Sequence, residues 1–442
     1  MEYRCSSCGY SSLKWLGRCP QCGQWDTFQE AQPGAISEKI SYEPPRRLDE
    51  IPVEAGGRWA SGIEEFDRIL GGGALRGSTI LVGGEPGIGK STLMLQVAGR
   101  LAEISKKPIL YISGEEAPAQ IKVRAERVGI RDSARLMILN EQRLGAISKV
   151  VVEIQAAALI ADSIQTIFPG MIKEGLGTIH QVGEVTFQLS QLAKSQKIPV
   201  FLIGHITKSG EFAGPKAIEH LVDVALYIEG GRDSDIRILR AVKNRYGSTE
   251  EIGVFQMNES GMREIENPSK FFIERTGEAK PGSVISPSLE GTRPILVEIQ
   301  ALVASTRSNF PQRRATGLDP NRMALLLAVI EKRLGLHISG DDVYLNVAGG
   351  LSLREPAMDL GVVAAIVSSY KNRAIDRETI VIGEIGLSGE LRKVRALKKR
   401  LSEAAKLGYR RAVIPTTEKM DEPGLQIMEA SGIEEAMEAL GL

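Results

Sequence analysis

From about Trp59 to Ile265, short apolar runs alternate with stretches of helical periodicity. The runs are Thr79–Val82, Ile109–Ile112, Ala157–Ala161, Val200–Ile203 and Val224–Ile228. Short apolar runs that alternate with helical patterns mark the strands of a parallel α/β sheet. Ile236–Val242 and Ile252–Met257 read as further strands, antiparallel to their neighbours. The pattern breaks over residues 267–294, at NPSKFF and then EAKPGSVISPSLEGTRP. Beyond the break, an alternating strand (Ile295–Val303) and two helical patterns (Met323–Leu334 and Ala357–Ser369) predict another α/β domain. At the other end, residues 1–28 form a small Cys-, Gly- and Trp-containing unit, and residues 29–50 carry three prolines and no periodicity, which reads as a linker. The expected domains are therefore 1–28, 51–268 and 269–442, with the linker at 29–50.

The longest apolar stretches, such as Leu360–Val367, fall well short of the roughly 20 residues that span a bilayer. The N-terminal MEYRCSSCGY has no apolar core of a secretory signal. Both point to a soluble chain in the cytoplasm, with no membrane partner. Composition changes the picture little: 442 residues, 43% apolar, 25% charged, with 55 basic and 55 acidic side chains. Any attraction for nucleic acid must then come from local charge.

All four cysteines lie in the first 22 residues, as Cys5-Ser-Ser-Cys8 and Cys19-Pro-Gln-Cys22. A disulfide-stapled secreted protein would spread its cysteines through its domains. Two C-x2-C knuckles instead give four thiolates that converge on one ion, a set that suits a closed structural Zn2+ site. A unit this small cannot bury enough core alone, so the metal would carry its folding.

Gly84-Glu85-Pro86-Gly87-Ile88-Gly89-Lys90-Ser91, with Thr92 next, fits G-x4-G-K-[ST] in full. It follows an apolar strand and opens a helical pattern, the context of a phosphate-binding P-loop. Backbone N–H groups would hold the phosphates of ATP or ADP, Lys90 would reach the β and γ phosphates, and Ser91 would take one Mg2+ position. Asp162 ends the strand AAALIAD, where a carboxylate can orient Mg2+. ILYIS leads into Gly114-Glu115-Glu116, where either acid can polarise the attacking water. His205 closes VFLIGH and can sense the γ-phosphate, with Lys208 just beyond it as a candidate DNA contact.

At these residues the chain resembles the bacterial RadA (Sms) family of DNA repair and recombination proteins. The resemblance is carried by CxxC…KWLGRCPQCGQW, GEPGIGKST, ISGEE and Lys243-Asn-Arg-Tyr-Gly247, where Tyr246 replaces the family's Phe. It implies a RecA-like core in a hexameric ring similar to DnaB-type helicases, acting on single-stranded and branched DNA with RecA as a partner. It implies branch migration or helicase-type translocation rather than strand exchange. By the same resemblance Glu115 is the water-activating acid and His205 the phosphate sensor. Lys243 and Arg245 would reach the ATP of the next subunit, or touch DNA. Their alternate positions on an extended segment would point both the same way.

The last domain resembles the protease domain of Lon, through GGLSLREPAMDLGVVAAIVSS and GEIGLSGELRKVRALKKRLSEAAKLGYRRAVIP. The nucleophilic serine position falls on Ala357 and the dyad lysine on Lys398. A lysine base needs an oxygen nucleophile to deprotonate, so proteolysis is not expected, and Ser352 would need another geometry to rescue it. What remains is basic charge: Arg392, Lys393, Arg395, Lys398 and Lys399 in one run, and Arg307, Arg313 and Arg314 in another. Such runs suit sequence-independent contact with DNA phosphates. The expected protein is an α/β, RecA-like DNA-dependent ATPase with a zinc module in front and an inactive Lon-like domain behind. Its rivals are a Lon-type protease and a KaiC-type ATP switch, the latter because Ser61–Gly73 (SGIEEFDRILGGG) is shared with that wider group.

Overall fold

The computed structural model describes residues 3–8, 10–30, 47–50, 57–130, 134–170, 177–205, 215–230, 235–273, 278–306, 310–348, 355–417, 422 and 424–442. Lys208, Arg307 and Ser352 lie outside the described residues. The chain forms two compact units, residues 1–56 and 57–442.

In the first unit, Tyr3–Cys5 pairs antiparallel with Ser11–Ser12 on one side and Phe28–Glu30 on the other. Tyr3 opposite Glu30 carries the last strand two residues past 28, a pairing that the polar Gln29 and Glu30 gave no sign of in sequence. Among the described residues its core is Cys5, Cys19 and Phe28, with Tyr3 and Leu16 packed against it.

The second unit opens with a nine-stranded sheet. In spatial order its strands are Gly261–Glu264, Ile252–Asn258, Ile236–Asn244, Val224–Glu229, Thr79–Gly84, Val200–His205, Ala158–Asp162, Ile109–Ser113 and Leu136–Asn140. Those from Val224–Glu229 onward run parallel. The other three are antiparallel, as the sequence suggested for two of them. Thr79–Gly84 is buried throughout because helices cover both faces, among them Lys90–Ile104 and Ile179–Gln196. The edge strand Leu136–Asn140 is largely exposed or half-buried, and its apolar run is only the four residues Leu136–Leu139, short enough to be passed over in sequence.

A seven-stranded sheet follows, in the order Arg313–Thr316, Asp341–Val347, Arg293–Ser305, Ser283–Glu290, Thr379–Val381, Arg411–Pro415 and Gln426–Ala430. Asp359–Lys371 is buried on nearly every side. That is why its helical pattern is apolar all round rather than striped. This domain shares a core with the first sheet: Ile236, Ile252 and Val254 pack in one cluster with Ile295, Val297 and Met323. The joint is tight at Gly291, with φ of 66°, where a Cβ would collide with the Glu250 carbonyl oxygen. Beside it Arg293 pairs with the buried Glu65 at 3.0 Å and Arg240 with Glu290 at 3.0 Å. Among the described residues no helix is long and apolar enough to cross a membrane.

Candidate functional site

In a parallel sheet, side chains at the carboxyl ends of neighbouring strands meet in one crevice. Register brings Gly84 beside His205, and Asp162 beside Ile203 and Ser113. The P-loop leaves its strand at Gly84 and enters the helix Lys90–Ile104 through Gly89, whose φ of 112° is left-handed. That backbone conformation, rather than the flexible Met257 and Met262 tips that lie where a Cβ would sit, is what calls for glycine here. No side chain caps this helix, which leaves its first N–H groups turned toward the loop, as a phosphate cradle requires.

Lys90 is buried, and its Nζ donates to the carbonyls of Gly84 and Glu85, both at 2.9 Å. Burial lowers its pKa to about 8 against the pull of the Asp162 and Glu115 carboxylates. Asp162 accepts from Tyr111 Oη at 2.6 Å and from the Ser91 hydroxyl. Burial raises its pKa, and those two hydrogen bonds oppose the rise. The Ser91 hydroxyl and the Asp162 carboxylate are hard oxygen groups of the kind that Mg2+ takes.

The acid left open by spacing is separated by geometry. Glu115 Oε1 accepts from Ser163 Oγ at 2.7 Å and lies 3.8 Å from His205 Nε2. Glu116 turns away into an ion pair with Arg124. His205 is half buried, its pKa lowered first by burial and then by the Lys90 charge. Its Nδ1 is buried without a hydrogen-bond partner among the described residues, an orphan atom within the nucleotide crevice.

Tyr111 and Ser163 are functional candidates that sequence reasoning misses. Tyr111 looks like one more apolar strand residue, yet it pairs with Ile160, two residues before Asp162 on the same face. That diagonal places the phenol under the carboxylate. Only register reveals it. Tyr111→Phe removes one donor to a charged acceptor, about 1.5–3 kcal/mol. The Mg2+ concentration for half-maximal hydrolysis should then rise about tenfold, with ATP binding retained. Without that donor the Asp162 pKa rises further, so the acid limb of the pH–rate profile should move to higher pH. An unmoved profile and an unmoved Mg2+ dependence would show that the phenol only packs.

Lys243 and Arg245 sit elsewhere. Lys243 Nζ donates to the carbonyls of Glu219 at 2.7 Å and His220 at 3.2 Å. Arg245 pairs at 3.3 Å with the buried Asp223, whose other oxygen accepts from Thr79 N at 3.0 Å. Both side chains thus rest on the same Glu219–Asp223 segment, at the amino-terminal end of the strand that ends in the P-loop. Thr79 to Gly84 spans about 16 Å of strand, beyond the reach of an arginine. These two residues do not join their own subunit's phosphate site.

In the zinc unit, the four Sγ atoms lie within 4.8 Å of one another, with Cys5 to Cys22 at 3.7 Å and Cys8 to Cys19 at 3.5 Å. A tetrahedron with Zn–S bonds of about 2.3 Å has edges of about 3.8 Å, so the set fits Zn2+. Thr27 Oγ1 lies 3.2 Å from Cys5 Sγ and can donate to it as a thiolate. Chelation, or Cys5→Ser with Cys22→Ser, should unfold residues 3–30 and leave the ATPase transition in place, because the metal supplies about 10–16 kcal/mol. Proteolysis with metal analysis checks this: a resistant, metal-free N-terminal unit would contradict it.

In the last domain Ala357 is buried, whereas Lys398 is exposed on the helix Leu397–Lys406. A buried methyl and a solvated amine make no hydrolytic pair. The basic run is thinner than its sequence suggests. Arg400 is fully buried, donating to Glu355, Pro287 and Arg395. Arg392 pairs with Glu390 and Glu384, and Arg395 with Glu250. Lys398 and Lys399 stay exposed, as do Lys393, Arg313 and Arg314.

The DNA repair protein RadA of Bacillus subtilis (strain 168) is 44% identical across 99% of this chain and 97% of its own length. The chain belongs to the RadA family. The RadA of Aquifex aeolicus (strain VF5) gives the same identity over 99% of this chain and 98% of that protein. Along this RadA-family chain, a family model described as rubredoxin metal binding domain matches residues 3–30, one described as KaiC matches 59–137, and one described as subunit ChlI of Mg-chelatase matches 325–418. A KaiC-like protein from Pyrococcus horikoshii OT3 aligns at 22% identity over 47% of this chain and 98% of that one, with a TM-score of 0.40. The RadA-family chain is therefore an α/β, RecA/KaiC-like ATPase that takes ATP and ADP with Mg2+, preceded by a Zn2+ ribbon and followed by a ChlI/Lon-like domain.

Proposed function

We propose that this chain is a DNA-dependent ATPase that moves along single-stranded or branched DNA and extends recombination intermediates by branch migration, in the bacterial cytoplasm. One observation carries this: Lys243 and Arg245 stand a strand length from their own P-loop, at the edge of the sheet where its parallel strands begin. A site completed from that edge is completed in trans, by the next copy in a head-to-tail ring. Ring copies with shared sites, six by family resemblance, can fire in sequence and so drive movement. Within each site Lys90 and Ser91 hold phosphates and Mg2+, Asp162 orients the ion, Glu115 polarises the attacking water and His205 senses the γ-phosphate. Arg245 neutralises charge that builds on the neighbour's γ-phosphate during transfer. Lys398, Lys399, Arg313 and Arg314 are exposed side chains that would follow DNA phosphates. RecA is the partner that the recombination role implies.

The protease reading fails at Ala357, whose buried methyl offers no nucleophile. Three measurements test the proposal together: ATP hydrolysis with and without single-stranded DNA, extension of a three-strand branched intermediate, and cleavage of casein. Stimulation by DNA with ATP-dependent extension and intact casein is expected. Hydrolysis indifferent to DNA, with no extension, would sink the motor and favour an ATP switch.

A further inference from the structure

The edge of the ATPase sheet opposite the P-loop holds a trough of 880 Å3 with an unusual charge balance. Five cations line it, Arg58, Arg76, Lys106, Lys107 and Lys197, and no carboxylate does among the described residues. The two arginines keep their charge. Arg58 spends its donors on the carbonyls of Leu70, Gly73 and Tyr246, which are neutral. The Arg76 guanidinium lies over the Trp59 ring, 5.3 Å from its centroid. Lys106 and Lys107 are exposed. Nearby acids are engaged outside the trough, Glu103 with Arg100 at 3.3 Å and Glu153 with Lys149 at 3.7 Å.

A concave surface with charges of one sign concentrates ligands of the other, and its floor tells which kind. Here Ile104, Val152 and Ile198 supply apolar contact, Gln155 and Gln196 supply amides, and Trp59 supplies a ring. The trough is far larger than one phosphate needs. Cations that follow a backbone, beside apolar and aromatic surface that accepts bases, are the composition of single-strand binding grooves. We propose that this trough holds single-stranded nucleic acid by its phosphates, apart from the basic side chains of the C-terminal domain. The inference rests on the DNA-motor reading, and it adds a strand path that the P-loop, the trans residues and the C-terminal surface do not supply. A displaced strand of a branched substrate is the form of DNA that would lie there.

The experiment uses the full-length protein with bound zinc and a fluorescent oligo-dT, titrated by anisotropy across a series of salt concentrations. Lys106→Ala with Lys107→Ala is the main variant, since both side chains are exposed and neither belongs to the ATPase machinery. Removing one lysine–phosphate pair lowers the slope of log affinity against log salt by about 0.7, so the double variant should show a slope smaller by about 1.4. Its ATP hydrolysis without DNA should match the parent. Photo-crosslinking of 4-thiothymidine oligomers should mark peptides around residues 104–107 and 196–198 in the parent. Tripolyphosphate serves as the competing small anion. If it binds in a Lys106- and Lys107-dependent way while the DNA slope stays unchanged, the site takes free polyphosphate and the strand path is wrong. If the slope holds and crosslinks fall elsewhere, the trough is not a nucleic-acid site, although the motor reading survives. If the parent binds no oligonucleotide, both readings fall together.

Discussion

Lys90→Ala protein is expected to hydrolyse ATP at least about 10²-fold more slowly than the parent, while keeping its fold. The amine lies between the P-loop carbonyls of Gly84 and Glu85 and faces the charges of Asp162 and Glu115. When phosphates arrive it is the nearest buried cation to them, and alanine leaves nothing in its place. A pH signature accompanies this role. In the free protein the Lys90 pKa is lowered to about 8, and a bound triphosphate must raise it. Below that pH the lysine is already charged, and binding is indifferent to its titration. Above it, each binding event takes up a proton, so ATP affinity should fall as pH climbs past 8. Calorimetry in two buffers of different ionisation enthalpy reads the uptake directly, and Lys90→Ala should abolish it. Near-parental turnover in the alanine variant would refute the assignment of this loop.

Arg245→Ala should lower DNA-stimulated hydrolysis about 10³-fold while leaving ATP binding close to normal if, as proposed above, the side chain serves a neighbour. Mixing decides between trans and cis. Arg245→Ala subunits keep an intact P-loop, and Lys90→Ala subunits keep an intact arginine. In rings assembled at random from equal parts, about a quarter of the interfaces join the two good halves. Activity should then return in part, to a level limited by how many competent sites the cycle needs. Subunits must be mixed before nucleotide and DNA are added, and a tagged pull-down must confirm mixed rings. Mixed rings that form and stay inactive at every ratio would remove the trans role and return Arg245 to its ion pair with Asp223.

Much of this is legible in the amino-acid sequence. Periodicity located the buried strands because their side chains are apolar on both faces, and the P-loop and thiolate pairs are spaced by local backbone geometry alone. Register was not legible. Which acid of Glu115-Glu116 enters the crevice depends on Ser163 and Arg124, residues distant in sequence or turned by a helix. Tyr111 and Asp223 act through strand pairing, so neither spells a motif. Charge runs misled for a related reason. Nine basic residues between 388 and 411 look like one surface, yet Arg400 is a core residue, and Arg410 and Arg411 pair with Glu378 and Asp376. Sequence counts charges without showing which way each side chain faces.

The contact at Gly291 has a mechanical meaning. A glycine whose missing Cβ makes room for the Glu250 carbonyl works as a key in a slot, and the shared core around Ile252 and Ile295 grips both parts on either side of it. With no space at the key and a core common to both, the two sheets are packed as one body rather than strung on a free linker. On the motor reading proposed above, a turn of the first sheet would carry the C-terminal sheet with it, and the exposed Arg313, Arg314, Lys398 and Lys399 would travel as its outer points. A bulky residue at position 291 would turn the keyed joint into a loose one. On the same reading, nucleotide turnover and the displacement of those side chains would then become separate quantities.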